Sequence, residues 1–364
     1  MKKRATGQAS FADLAVAGLG GPRTAALLER LGAAVPWRKL VAPVLDLPEY
    51  ARYAADPSRP GERPIDPLVM LRATMLQKWF NLSDPQLEEQ LKDRISFRRF
   101  AGLSQQDRTP DETTFVRFRA RLRAAGLDRV IFDAILKHID AQGLLVKAGT
   151  IVDATIVEQS TGHKTGEKDD KGEPLTTRDP EAGFTKKHGT TYHGYKMHTA
   201  TDTSGVVTGV VTSTASHHDS RHIDELVVGE RRAVYADSAY SDQARRRDLH
   251  ARGVMPAIIY KRVKGQAELD PWQKKWNRLV SQVRAIGEHP YAWMKRLMNF
   301  TRCRYRGLRR NAFDFSVRGK ALPEMRVGLS QPDDRIRLQT SPNCGGKEPS
   351  WETSGAKGAA DRVR

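Results

Sequence analysis

The sequence contains little cysteine, no long apolar run, and too few acidic residues to balance its basic ones. Two cysteines, Cys303 and Cys344, stand among 364 residues without metal-site or redox spacing, which excludes a disulfide framework. No apolar run approaches the roughly 18–20 residues of a membrane span. The formal net charge is +18, from 61 lysines and arginines against 43 acids. Such an excess attracts polyanions, phosphate backbones above all, without sequence preference.

The spacing of apolar residues changes near Gly149. Before it the spacing is helical: Asp66-Pro67 is a helix start, Ser83 opens a capping box, and residues 127–142 are amphipathic. After it the period becomes two at residues 150–157, which predicts a strand. A hairpin, two further strands, two helices and a long helix over residues 272–298 follow. This order predicts an α/β fold, a mixed sheet flanked by helices, preceded by an all-α region.

Two further segments carry no such periodicity. Residues 158–190 are polar and rich in lysine, aspartate and glycine, which predicts a mobile loop. From about residue 326 glycine, serine, proline and charged residues dominate, which predicts a disordered tail.

Three acidic residues stand in separate stretches of the second region. Asp153 in G-T-I-V-D-A-T and Asp237 in V-Y-A-D-S-A-Y each follow a short strand-like run, and Glu288 lies in the long basic helix. Ligands of α/β sheets bind beyond strand ends, so the two aspartates are candidates for one site. Carboxylates of this kind can hold two divalent ions, which suit phosphodiester cleavage. Arg284, Glu288 and Lys295 recur at helical spacing and share one face.

These motifs resemble the DDE transposases of bacterial insertion sequences, most closely the insertion-sequence-five group, over about residues 60–315. D-A-T at Asp153 is similar to the first catalytic motif of that family, and A-D-S-A-Y at Asp237 to the second. The third, R-x3-E-x6-K, is intact as Arg284, Glu288 and Lys295. R-Y-R-G-L from Arg304, and the helical stretches L-S-D-P-Q-L-E-E-Q-L and R-F-A-G-L, are also typical of the family.

The resemblance implies a ribonuclease-H-like catalytic domain. Asp153, Asp237 and Glu288 would be the catalytic residues and the ligands of two Mg²⁺ ions, with Mn²⁺ as a substitute. The enzyme would bind the terminal inverted repeats of an insertion sequence, cleave DNA at the element ends and join the 3′-hydroxyl to target DNA. Its partners would be double-stranded DNA and further copies of itself, as a homodimer or higher on DNA. It would be cytoplasmic, associated with the nucleoid and not with a membrane.

The expected DNA contacts come from the long helix and the basic segment after it. Aromatic residues interleave with cations there, an arrangement that can bind nucleic acid, although Trp276 and Trp293 are better explained as core residues. Arginines of the helical region, expected to be exposed, favour DNA contact as well. The first group comprises Arg284, Lys295, Arg304, Arg306, Arg309 and Arg310; the second comprises Arg94, Arg98, Arg99, Arg117, Arg119, Arg121 and Arg123.

The predicted domains follow from these assignments. They are an N-terminal, partly helical segment (1–65), a helical DNA-binding or dimerisation domain (66–145), the ribonuclease-H-like catalytic domain (146–325) and the disordered tail (326–364). Two departures from the family pattern stand out. Ser281 occupies a position where a tyrosine is frequent, and the expected apolar helix that closes the catalytic domain is replaced by G-K-A-L-P and a polar tail.

Two alternatives bear on this interpretation. A simple metal-dependent nuclease would share the acids but lack strand transfer. A decayed protein could act only as a DNA-binding repressor of its element, which the altered tail favours and the intact acids oppose. Separately, His217, His218, Asp219 and His222 suggest zinc, but a turn in which Asp219 caps the next helix is the better prediction.

Overall fold

The computed structural model describes residues 23–329, apart from residues 57, 59, 169–173 and 188. The predictions for residues 1–22 and for the tail beyond residue 329 lie outside the described part. Helices make up the first region. They are α1 (Arg23–Ala34), α2 (Trp37–Leu45), α3 (Pro48–Ala55), α4 (Pro67–Trp79), α5 (Asp84–Asp93), α6 (Ile95–Ala101), α7 (Glu112–Ala124) and α8 (Leu127–Ala141).

Local sequence sets several of these boundaries. The Asp66 side chain accepts a hydrogen bond from the Leu68 amide, and Pro67 occupies the first turn of α4. Ser83 and Gln86 form the predicted capping box of α5. Helices α1 to α3 extend through the segment predicted to be partly helical, although it contains Pro36, Pro43 and Pro48. Pro48 begins α3, a position where its missing amide costs nothing.

The second region is built on a six-stranded mixed sheet. Its strands are β1 (Thr150–Glu158), β4 (Gly183–Lys187), β5 (Thr190–Asp202), β6 (Val207–Thr214), β7 (Ala233–Ala236) and β8 (Met255–Ile258), and a separate pair is formed by β2 (Lys164–Lys168) and β3 (Pro174–Thr176). Strand β5 pairs antiparallel with β1 on one edge and with both β4 and β6 on the other. Strand β7 then pairs parallel with β1, and β8 parallel with β7.

The predicted loop over residues 158–190 is therefore wrong in part. Strands β2, β3 and β4 form within its described residues. Strand β5 is 13 residues long, and its first residues extend beyond the part that pairs with β6. Strand β4 pairs with those residues, Thr190 to Gly194, and satisfies backbone groups that would otherwise form an open edge.

Helices cover both faces of the sheet. They are α9 (Ile223–Leu226), α10 (Gln243–Ala251), α11 (Pro271–Met298) and α12 (Leu308–Leu329). Residues from α9 and α10 pack with Val152 and Ala236 in one core. Residues from α11 and α12 pack with Tyr195 and Met197 on the opposite face, in a core shared with α1 to α8. The helix predicted to follow Asp219 is short, with a 3₁₀ turn (Asp219–Arg221) before α9.

Helix α12 corrects the expectation that no helix closes this region. It runs through G-K-A-L-P, where the polar composition conceals it, and the predicted boundary of the tail at residue 326 falls inside it. Its first half carries the apolar residues Phe313, Phe315 and Val317, which are buried in the shared core. The mixed sheet, its helical layers and the preceding all-α region thus confirm the predicted fold class.

Buried charges join α12 to the helical region. Lys78 on α4 forms an ion pair of 2.5 Å with Asp314 on α12, and Arg318 donates to the other oxygen of Asp314 at 2.9 Å. Burial alone would raise the pKa of Asp314, but the charges of Arg318 and Lys78 outweigh it and hold the pKa well below its usual range. The two regions are therefore bound together by paired charges as well as by apolar packing.

Candidate active site

The register of two parallel strands brings Asp153 and Asp237 to one place. Val152 of β1 is paired with Ala236 of β7, so Asp153 is the next residue of β1 and Asp237 directly follows the end of β7. Neighbouring strands lie about 4.8 Å apart. Val152 and Ala236 are buried in the same core. Because side chains alternate between faces, the two aspartates belong to the opposite face, which α11 covers.

A close approach of helix to strand brings Glu288 to the same face. Gly287 is buried on α11, and a Cβ atom there would lie 2.7 Å from Cγ2 of Ile151. Any larger residue would require α11 or the Ile151 side chain to shift. Ile151 is two residues before Asp153 and shares its face. Glu288, directly after this contact, is exposed.

Tyr291 fastens this part of α11 to the sheet, and sequence reasoning missed that role. Its hydroxyl donates to the backbone oxygen of Asp153 at 2.8 Å and lies 2.7 Å from the Thr199 hydroxyl. The side chain is buried, although its position among cations in the sequence suggests an exposed ring that could stack on bases. The only signal was its helical position, one turn after Gly287, on the side that must face the sheet.

The electrostatics of the three acids are coupled. Burial raises the pKa of Asp153, and the negative charges of Glu288 and Asp237 raise it further. The amide of Ala154, which donates to Asp153 Oδ1 at 2.8 Å, and the charge of Arg284 act in the opposite direction. Asp237 accepts a hydrogen bond from the Ser238 amide at the start of a 3₁₀ turn (Ser238–Tyr240). Like charges gathered at one face favour the binding of a cation.

The donor set fits a hard divalent cation, because carboxylate oxygens are the ligands that Mg²⁺ prefers. Nε of Arg284, a residue whose charge acts on Asp153, is also buried and lacks a hydrogen-bond partner within the described residues. In their present conformations, no three acidic, histidine or cysteine side chains of the described residues form a ready-made metal site. The side chains would therefore have to turn towards a bound ion.

The basic residues of the long helix and the following segment fall into two groups. Lys295, Arg306, Arg309 and Arg310 are exposed, and Arg284 is half-buried beside Asp153. Arg304 is different, because its guanidinium donates to the backbone oxygens of Asn81 and Leu82. The hydrogen-bond donors of Arg304 are therefore used in the contact between the two regions. This differs from the prediction that Arg304 lies on a DNA surface.

The expectation of seven exposed arginines in the helical region is also wrong in part. Arg98 is buried and donates to the backbone oxygens of Leu91, Ser104 and Asp107. Arg119 is buried in a two-pronged pair with Asp84. Both side chains therefore form hydrogen bonds within the helical region. Arg94, Arg99, Arg117 and Arg121 are exposed, and Arg123 is half-buried over the ring of Phe313.

The residue that caps the histidine-rich turn differs from the predicted one. Nδ1 of His218, rather than Asp219, accepts from the Ser220 amide at the start of the 3₁₀ turn. Asp219 instead pairs with Lys196 at 2.9 Å. His198 from β5 joins this group, with its ring 4.8 Å from that of His222. Burial lowers the pKa of His198 to about 4.

Comparison with known proteins agrees with these observations. Residues 22–121 match the family described as Transposase domain (DUF772), and residues 145–319 match the family described as Transposase DDE domain. The two matches together span about three quarters of the 364 residues. Among solved structures, the piggyBac transposase in a synaptic complex with hairpin DNA has a TM-score of 0.38 at 11% identity, covering 87% of this chain and 77% of that one.

That structural likeness is too weak for any feature of the complex to be transferred. None of the described helices is both long and apolar enough to cross a membrane. The two family matches fall on the helical region and on the sheet that carries Asp153, Asp237 and Glu288. The chain belongs to the DDE transposases and is an enzyme of that family.

Proposed function

We propose that this chain is the transposase of an insertion sequence, of the insertion-sequence-five group, which cleaves DNA at the ends of its element and joins the 3′-hydroxyl to target DNA. The observation that carries the proposal is the pairing of Val152 with Ala236, which makes Asp153 and Asp237 neighbours at the face under α11. The close contact at Gly287 brings Glu288 to the same face. We call Asp153, Asp237 and Glu288 the acidic site.

The acidic site would hold divalent cations, Mg²⁺ in preference and Mn²⁺ as a substitute. The ions would stabilise charge on the phosphate and activate the attacking oxygen, the chemistry that two-metal sites supply. The residues of the chain orient the ligands. Tyr291 and Gly287 fix α11 against β1, and Ala154 holds one oxygen of Asp153. Arg284, beside Asp153, is suited to the phosphate next to the ions.

Exposed cations near the acidic site would bind the DNA backbone. Lys295 lies two helical turns after Glu288 on α11, and Arg306, Arg309 and Arg310 follow the end of that helix. Each phosphate contact contributes affinity that falls as salt concentration rises. The partners would be double-stranded DNA, at the terminal inverted repeats and at the target, and further copies of the chain on that DNA.

The test is cleavage of a supercoiled plasmid that carries the element's own ends, with Mg²⁺. Wild type is compared with Asp153→Asn, Asp237→Asn and Glu288→Gln, each of which keeps the size of the side chain. We expect wild type alone to cut at the ends, and all four proteins to bind end DNA equally. Full cleavage by one variant would remove that residue from the catalytic set.

The same experiment separates the competing functions. Cleavage without preference for the ends, and without joined products, would indicate a simple nuclease. Tight binding to the ends with no cleavage by any protein would indicate a repressor that has lost catalysis. Glu62→Gln is the matched control, because Glu62 is an exposed acid in the helical region that pairs with Arg108. It should cleave as wild type does.

A further inference from the structure

Helix α7 is fixed on one side and open on the other. Phe115, Phe118 and Leu122 are buried in the shared core. Arg119, on the same side of the helix, is buried and pairs with Asp84 at 2.6 Å. The other side is exposed along the whole helix. Because packing and an ion pair hold the buried side, the direction in which the exposed side faces is set by the fold.

The exposed side of α7 carries positive charge. Its one acid, Glu112, lies in the first turn, where acids stabilise a helix. The exposed residues after that turn recur every three or four positions and share one face: Val116, Arg117, Ala120, Arg121 and Ala124. Arg121 also pairs with Glu49 at 3.2 Å. Arg117 forms no ion pair or side-chain hydrogen bond within the described residues, so its donors are available to another molecule.

The helices that pack against α7 expose both signs of charge. Helix α5 exposes Glu89 and Asp93 beside Lys92, and α8 exposes Asp133 between Arg129 and Lys137. Alternating charges of this kind are typical of a solvated face. The exposed side of α7 differs, because beyond its first turn it presents cations without acids. Its charge is therefore complementary to a polyanion.

The C-terminal half of α7 lies beside the start of α12. The guanidinium of Arg123 on α7 is 5.8 Å from the centroid of the Phe313 ring on α12. Arg309 and Arg310 lie one helical turn before Phe313, so they are its neighbours on the surface of α12, and both are exposed. The basic side of α7 and these cations thus form one surface, which crosses from the helical region to the region that carries the acidic site.

We propose that α7 enters the major groove of the element's terminal inverted repeat with Arg117 on the bases, while Arg309 and Arg310 hold the backbone of the same duplex. The inference rests on the proposed function, because it needs the chain to bind the ends of an element. The major groove is about 12 Å wide and admits an α-helix. The arginine fork matches guanine, and short residues such as Ala120 can contact a thymine methyl group.

The test measures binding of the full-length protein, in a chelator so that no DNA is cut, by fluorescence anisotropy. The probes are a duplex with the element's own terminal repeat and a scrambled duplex of the same length. We expect wild type to prefer the repeat. Arg117→Ala should bind the repeat about 10–100-fold more weakly and the scrambled duplex almost as wild type does. Arg117→Lys keeps the charge but loses the fork, so it should lose the preference as well.

Arg309→Ala is the matched control, an exposed arginine assigned to the backbone, and it should weaken binding to both duplexes equally. Equal weakening by Arg117→Ala, or full recovery by Arg117→Lys, would overturn the inference and place Arg117 on the backbone. Wild-type preference in both Arg117 variants would also overturn it, and would indicate a solvated face or a contact between copies. These results would leave end binding intact. A wild type without preference for the repeat would instead overturn the end recognition of the proposed function.

Discussion

Single side chains near Asp153 divide between stability and chemistry. Tyr291 contributes hydrogen bonds that hold α11 on β1, whereas Asp153 carries a charge in surroundings that raise its pKa. A group whose ionised form is disfavoured on folding reduces the stability of the metal-free protein. Residues of the first kind should lower stability when altered, and residues of the second kind should raise it. The two can be distinguished by unfolding experiments without substrate.

Tyr291→Phe should lower the free energy of unfolding by about 1–3 kcal/mol, because the buried oxygen of Asp153 and the Thr199 hydroxyl lose their partner. Urea unfolding measures the change. The control is Tyr192→Phe, at a half-exposed tyrosine of β5, the strand that carries Thr199. It should stay within about 0.5 kcal/mol of wild type. Equal effects of the two substitutions would contradict the role assigned to Tyr291.

Asp153→Asn should raise the melting temperature of the protein in the presence of a chelator, while abolishing cleavage. The substitution removes a charge that burial, Glu288 and Asp237 disfavour. The measurement is thermal unfolding with and without Mg²⁺. With Mg²⁺ the order should reverse, because only wild type gains stability from the ion. A variant less stable than wild type under chelation would show that the Asp153 carboxylate is stabilising in its own right.

Helix α11 and strand β1 come into close contact at the site through a glycine, which has no side chain. Helix α11 crosses β1 at Gly287, with Ile151 beneath it. A glycine in the middle of a helix weakens it by about 1 kcal/mol relative to alanine. Its occurrence inside a 28-residue helix is therefore explained by the close approach and not by helix formation.

Gly287→Ala should lower the free energy of unfolding by about 1–3 kcal/mol and reduce cleavage, because the new methyl group requires α11 or the Ile151 side chain to shift. Gly32→Ala is the control, a helical glycine of α1 whose added Cβ would lie 4.0 Å from Phe100. It should stabilise the protein slightly. Adding Ile151→Ala to Gly287→Ala removes the atom in the way and should restore part of the cleavage. No recovery in the double variant would mean that the contact with Ile151 is not the cause.

The whole molecule depends on charges buried between its two regions. Asp314 lies between Lys78 and Arg318, which hold its pKa below the usual range against the effect of burial. A depressed pKa contributes stability above the unfolded value, about 3.9, and this stability is lost as pH falls towards the folded value. The joint between the regions is therefore expected to be sensitive to acid.

Asp314→Asn should lower the free energy of unfolding by about 3–5 kcal/mol at neutral pH, because two buried cations lose their partner. The difference from wild type should shrink as pH falls below about 4, where Asp314 begins to be protonated in the unfolded chain. Urea unfolding at several pH values measures both effects. Asp93→Asn, at an exposed acid of α5, should change little at any pH. A difference that is independent of pH would contradict the charge pairing.

Arg304 and Arg309 should separate folding from DNA binding. Arg304→Ala removes donors to Asn81 and Leu82 and should lower stability without changing the salt dependence of DNA binding. Arg309→Ala should leave stability unchanged and reduce the slope of log affinity against log salt concentration by about 1. The measurements are urea unfolding and DNA binding at several salt concentrations. The reverse pattern would place Arg304 on the DNA surface.

The sequence alone determined the local features of this protein. The capping box at Ser83, the hairpin of β5 and β6 and the strand Ala233–Ala236 follow from short-range preferences that act over a few residues. The three acids stand in short motifs that the sequence displays directly. Helix α12 was missed because it has no amphipathic pattern: its residues 311–319 are all buried or half-buried, so no single face of that part stays polar.

Only the tertiary structure decided which residues meet. The pairing of Val152 with Ala236, the contact of Gly287 with Ile151 and the hydrogen bonds of Tyr291 each join positions far apart in the chain. The structure also showed that Arg98, Arg119 and Arg304 are used internally, although as sequence they look like other surface cations. The physical reason is that burial and partners depend on long-range packing, which a local pattern of residue types does not encode.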